Sequence, residues 1–156
     1  MAIEVQTTQN VTIDYEPAGL GNRVLAYLID IVVIGIWVLG WVSIYAITDG
    51  DLFFVAEEYG MTIPLYIIIA APVSFYHLLF EYYNHGQSPG KQFLKIRVVK
   101  VDGSKPSFGA YLLRWLFRPF DIESSNGLLG IVMIVSTKRS QRLGDFLAGT
   151  TVISLK

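Results

Sequence analysis

Residues 24–47 form an apolar run of 24 residues with a single charge inside it, Asp30. A second run, residues 61–80, has no acidic or basic charge apart from the titratable His77. As helices rising about 1.5 Å per residue, they reach roughly 36 and 30 Å. A bilayer crossing needs about 20 residues. This pair constrains the chain more than anything else, because a fold that hides two such helices from water must put them in lipid or in a large core. The composition favours lipid. Hydrophobic residues make up 53% and charged residues 16% of the chain, where a soluble domain carries about 25% charged, and mean hydropathy is +0.48. Arg23 stands at the entrance of the first run. Trp37, Trp41 and Tyr45 lie toward its far end, where an interfacial aromatic belt belongs. Pro64 and Pro72 fall in the second run, where kinks are expected.

The remaining segments are shorter. Residues 3–15 alternate apolar and polar and predict a β-hairpin turning at Gln9–Asn10. The first 20 residues lack a basic start and an apolar stretch, so no cleavable signal is expected and the first span acts as the anchor. Residues 48–60 read as an acidic loop. Residues 84–107 combine a turn-rich stretch, HGQSPGKQ, with the alternating LKIRVVKV, a strand expected to pair with TTVISL near the C-terminus. Residues 108–121 carry Arg114, Arg118 and Asp121 at i, i+4 and i+7, which predicts an interfacial helix with one charged face. Residues 127–136 are apolar but too short to cross a bilayer alone. A short helix is expected over RSQRLGDFLAG.

The loop at 48–60 contains no Lys or Arg, whereas residues 84–107 contain Lys91, Lys95, Arg97, Lys100 and Lys105. Basic loops stay on the cytoplasmic side. Both termini are therefore expected in the cytoplasm of a multi-pass protein of the cell membrane. The expected fold is a mainly α membrane protein of one domain, 1–156. Its parts are an N-terminal hairpin and loop (1–20), full transmembrane helices (24–47 and 61–80), a cytoplasmic basic strand-and-turn region (84–107), an interfacial helix with a short third apolar helix (108–136), and a cytoplasmic tail (137–156). Small β elements lie on the cytoplasmic side.

Several chemistries lack sequence support. A net charge of −1 does not suggest a nucleic-acid partner. The chain has no cysteine, which removes disulfides, thiolate catalysis and cysteine–zinc sites. His77 and His85 do not make a metal spacing. GQSPGK departs from a phosphate-binding loop at both the glycine spacing and the residue after Lys91, so it reads as a Ser88-Pro89-Gly90 turn. No nucleophile elbow is present. Neither an enzyme nor a cofactor is expected.

Asp30 is the most informative residue. A carboxylate near the bilayer centre costs about 2.5–3.5 kcal/mol on insertion scales. It needs a cavity, a proton or a partner, with Arg23, Arg114 and Arg118 as the available cations. It reads either as an ion or proton site or as a polar tie fixing helix packing. On the second helix Ala70, Ser74, His77 and Glu81 share one face. A relay from Asp30 through His77 to Glu81 and a plain His77–Glu81 contact are the two readings. Arg142 and Asp145, at i and i+3, suit a local salt bridge.

The blocks AGLGNRVLAYLID, FEYYNHGQSPGKQFLKIRVV, LLRWLFRPFD and KRSQRLGDFLAGTTVIS resemble the RDD family of bacterial membrane proteins over about residues 18–155. The family is named for one arginine and two aspartates. Arg23 and Asp30 match the first two. Asp145 matches the second aspartate better than Asp121 does. The resemblance implies a membrane protein for which transport of unspecified ligands has been suggested, with sodium–proton exchange among some relatives. Two functions compete, ahead of a membrane enzyme, which has the least support. One is a small transporter or ion/proton exchanger using Asp30, working as a homo-oligomer because two spans enclose no pathway. The other is a non-transporting adaptor that binds a membrane or cytoplasmic protein through its basic face.

Overall fold

A computed structural model describes residues 3–6, 12–123, 127–137 and 139–155. It is mainly helical, with two helices long and apolar enough to cross a membrane: α1 (Leu20–Ile47) and, after a short α2 (Asp51–Glu58), α3 (Thr62–Tyr83). Their most apolar stretches average 2.3 and 1.8 in hydropathy, and only 11% of each is buried. Trp37 donates to the Ile69 carbonyl at 3.1 Å, and Tyr76 donates to Asp30. Position rises along α1 as it falls along α3, so the two helices are antiparallel. Pro64 sits in the first turn of α3, where its missing N–H has no intrahelical partner to lose. Pro72 is interior.

Residues 48–60, read as a loop, contain α2. Asp49 and Gly50 turn the chain through the left-handed region, at φ 47° and 83°. Phe53 on α2 then packs its ring edge against Tyr45, centroids 5.3 Å apart, and lies 6.5 Å from Tyr66. Aromatic contacts to both long helices give this two-turn helix the packing that its composition alone does not signal.

At the opposite end, the chain forms α4 (Pro89–Phe93), β3 (Ile96–Lys100), α5 (Phe108–Leu116), a π-helical turn (Pro119–Glu123), α6 (Leu128–Ser136), α7 (Leu143–Leu147) and β4 (Thr150–Ser154). β1 (Ile3–Gln6) and β2 (Thr12–Tyr15) pair antiparallel, while the turn assigned to Gln9–Asn10 lies outside the described residues. β3 and β4 also pair antiparallel, Val98 opposite Val152, as their β-branched alternation requires. The expected helix over 108–121 does not run through. Pro119 supplies no N–H and its ring crowds the preceding turn, so α5 stops at Leu116 and a π-helical turn follows. Arg114, Arg118 and Asp121 therefore do not share one continuous helical face.

Apart from Ala56 of α2, the core of the described residues lies at this end. Ala18, Ala26, Leu78, Ile96, Val98, Tyr111 and Val152 form one buried cluster. The only buried residues of α1 are Ala26 and Asp30, and those of α3 are Tyr76, Leu78 and Glu81. Each long helix thus has a packed half and an unpacked half.

Candidate functional site

Asp30 is 1% exposed and accepts three hydrogen bonds. Ser88 Oγ lies 2.6 Å from Oδ2, the Gly90 N–H donates to Oδ1 at 2.9 Å, and Tyr76 Oη donates to Oδ1 at 3.2 Å. His77 Nδ1 is 3.8 Å from Oδ2. The partners of this carboxylate are neutral donors and an imidazole. Arg23 and Arg114, two of the three cations available on sequence grounds, bind elsewhere.

The turn read only as Ser88-Pro89-Gly90 makes this arrangement. Ser88 takes an extended conformation and Pro89 opens α4, where its fixed φ suits the first helical turn. Gly90 is then pressed against α1. A Cβ there would overlap the Ala26 carbonyl oxygen and lie 2.9 Å from its carbon. Only a residue without a side chain lets α4 approach closely enough for its N–H to reach Asp30. Gly86 enters the same turn at φ 88°, with Val98 O 2.6 Å from where a Cβ would stand. The next residue, Lys91, bonds Glu81. One surface-looking turn therefore supplies a hydroxyl, an amide and an ammonium to two buried carboxylates.

Glu81 and Asp145 are joined in a network. Glu81 accepts from Lys91 and from Arg114 Nε, the latter at 3.2 Å. Arg114 Nη1 bonds both Asp145 and Thr150 Oγ1, the latter at 3.0 Å. Asp145, fully buried, also has Arg23 Nη1 at 3.7 Å, Arg142 Nε at 3.8 Å and the Arg142 backbone N–H at 3.2 Å. Arg23 further donates to the carbonyls of Ala18 and Val152, each at 3.1 Å, fastening the start of α1 to β4. Asp121 is buried and accepts the Gly144 N–H at 3.1 Å. Burial pushes the Lys91 ammonium down to about 8 despite the neighbouring Glu81. Burial, with Arg114 beside it, brings Arg142 down to about 9.

Two of the family-motif residues thus meet, Arg23 at Asp145, while Asp30 is held separately by the 88–90 turn. His77 faces Asp30 rather than Glu81, and its Nε2 is buried without a hydrogen-bond partner. Arg118 stacks over Tyr27, 5.6 Å from the ring centroid. Tyr76, Ser88, Lys91 and Thr150 escaped sequence reasoning. For Lys91 there was a signal, a cation directly beside a turn glycine. For the other three there was none, since hydroxyls of this kind are common on any surface.

A cavity of about 470 Å³ opens between α1, α3 and α6. Its polar lining comprises Arg23, Asp30, His77, Glu81, Lys91, Arg118 and Arg142, and its apolar walls include Val24, Leu28, Ile131 and Ile134. The volume lies within the range of small-molecule sites, about 300–1,000 Å³.

Two long apolar helices over a buried ionic cluster define a small helical membrane protein. The chain belongs to the RDD family, whose model matches residues 17–149. It is 28% identical over 141 residues to the uncharacterized protein YckC of Bacillus subtilis (strain 168), a match covering 88% of this chain and 85% of that relative. No solved structure matches it.

Proposed function

We propose that this protein is a small transporter or ion/proton exchanger of the cell membrane, with α1 and α3 crossing the bilayer and both termini in the cytoplasm. The observation that carries the reading is the cavity, in which ionisable side chains face space beside helices that otherwise present hydrocarbon. Ionisable groups at membrane depth mark solute or proton pathways when they line a cavity. In this reading Asp30 is a positioning residue. It orients His77 and holds the 88–90 turn, and His77, an imidazole lining the cavity, is the group that carries the proton. Two spans leave most of their surface unpacked, so the working form is a homo-oligomer.

The test is flux. Purified protein is reconstituted into vesicles carrying an internal pH-sensitive dye, and a pH gradient is imposed with sodium present. Wild type should dissipate the gradient faster than empty vesicles, and His77→Gln should return the rate to theirs. A wild-type rate equal to that of empty vesicles would sink transport and leave the adaptor reading, in which the basic cytoplasmic face binds a protein partner.

A further inference from the structure

We propose that α5 and α6 form a re-entrant hairpin that enters the cytoplasmic leaflet beside α3 and returns beside α1, with acyl chains against its outer face. It rests on α1 and α3 crossing the bilayer, and it adds a third element to the embedded surface. Direction is the first argument. Phe108, at the start of α5, packs its ring edge on Tyr82 with centroids 5.2 Å apart. Trp115, near the end of α5, stacks on Phe75 at 5.1 Å and donates to the Ser74 carbonyl at 2.8 Å. The steps from Phe108 to Trp115 match those from Tyr82 to Phe75, about 10 Å in either helix. α5 therefore stands along the span, antiparallel to it, and climbs from its cytoplasmic end. α6 comes back beside α1, where Ile131 and Ile134 share a cavity wall with Val24 and Leu28.

Both ends of this excursion are fastened to one sheet. Ahead of α5, the Lys100 N–H donates to the Ser104 carbonyl at 3.0 Å. After α6, Thr151 Oγ1 donates to the Arg139 carbonyl at 2.9 Å. Lys100 is paired with Thr150 in that sheet, so the chain leaves the sheet and rejoins it on the same side. Each of the two helices has 9 residues. That is about 13 Å, less than half of a hydrocarbon layer about 30 Å thick. The excursion is long enough to enter one leaflet and too short to cross both.

Polarity is the third argument. The charges of the excursion turn inward: Arg114 and Asp121 are buried, and Arg118 lies over Tyr27 of α1. Its large aliphatic side chains turn outward, with Leu116, Leu128, Leu129, Val132 and Val135 between 48% and 71% exposed. On α6 the exposed Leu128, Val132 and Val135 share one face, and the buried Gly130 and Ile134 lie on the other. Facing water, that surface would be unfavourable along its whole length, whereas hydrocarbon accepts it. The face is continuous with the exposed Val24 and Leu28 of α1, so the lipid that covers the span covers the hairpin as well.

The chain has no cysteine, so single-cysteine variants report one position each. The full chain, nitroxide-labelled, is placed in phosphatidylcholine–phosphatidylglycerol vesicles. Collisions are then read with oxygen, which concentrates in hydrocarbon, and with a water-soluble nickel chelate. Leu39→Cys on α1 reports the span itself. Leu129→Cys and Val132→Cys should match it, with oxygen collisions exceeding nickel collisions severalfold. Lys105→Cys and Arg139→Cys, at the two ends of the excursion, should show the reverse. In cells, both of these end variants should react with an impermeant maleimide only after the membrane is permeabilised. Leu39→Cys in lipid with Leu129→Cys and Val132→Cys in water would overturn the hairpin and leave the spans standing. Leu39→Cys in water would overturn both. Few collisions with either reagent at Leu129→Cys and Val132→Cys would mean that a second copy or another protein covers the face. That result, or reaction of either end variant before permeabilisation, overturns the proposal.

Discussion

The two halves of α1 live under different rules. From Val32 to Ile47 the helix presents Ile36, Leu39 and Ile47 at 66%, 64% and 82% exposure, and none of its residues is buried. From Leu20 to Asp30 it meets α4, β4 and the ionic cluster, and it buries Ala26 and Asp30. Apart from the Trp37 hydrogen bond to Ile69 and the packing of Tyr45 on Phe53, the first half is held by solvent choice. Hydrocarbon accepts any side chain of the right polarity, so few of its residues require a particular neighbour. The second half is held by specific partners, and each buried polar group there depends on another being in place. Sensitivity to substitution should follow that division.

Four experiments break or sharpen the contrast. The largest effect is expected at Gly90. Gly90→Val places a side chain inside the Ala26 carbonyl, forcing α4 off α1 and stranding Asp30. The protein should be lost to aggregation in size-exclusion chromatography, and a monodisperse variant with wild-type melting would remove the close approach from the account. Next is Asp145→Asn, which leaves Arg114, Arg23 and Arg142 crowded around a neutral amide. Removing one partner of a buried ion pair typically costs about 3–5 kcal/mol, and the loss should appear as a lower midpoint in denaturant titration in detergent. Asp30→Asn should cost less, on the order of 1–3 kcal/mol, because Asn keeps one acceptor oxygen for three donors. Native purification followed by the same titration checks this, and a variant as stable as wild type would mean the three hydrogen bonds contribute nothing net. The smallest effect belongs to the other half of the helix. Ile36→Ala should shift the midpoint by less than about 0.5 kcal/mol, and a loss as large as that at Asp145 would show that the exposed half has an unrecognised partner.

The same division sets how much was legible in advance. The long helices, the two pairs of strands and the special standing of Asp30 follow from patterns that need no neighbour. These are an apolar run of spanning length, a two-residue alternation, and a carboxylate placed where lipid would reject it. The two failures have different causes. α2 forms because Phe53 finds Tyr45 and Tyr66, and sequence spacing does not say which rings will meet. The helix over 108–121 breaks because Pro119 outweighs the charge periodicity that suggested continuity.

The sequence by itself determined what must leave water and which charges would then need company, since transfer free energy belongs to each residue and sums along a run. Only the tertiary structure decided which partner each charge takes. Asp30 sits at a modest sequence distance from Arg23, yet its donors arrive from Tyr76, Ser88 and Gly90, while Arg23 and Arg114 turn to Asp145. An ion pair or hydrogen bond requires contact within about 3–4 Å, and contacts at that range depend on how closely backbones can approach. Here that approach is set by Gly90 against the carbonyl of Ala26, a pairing 64 residues apart in the chain.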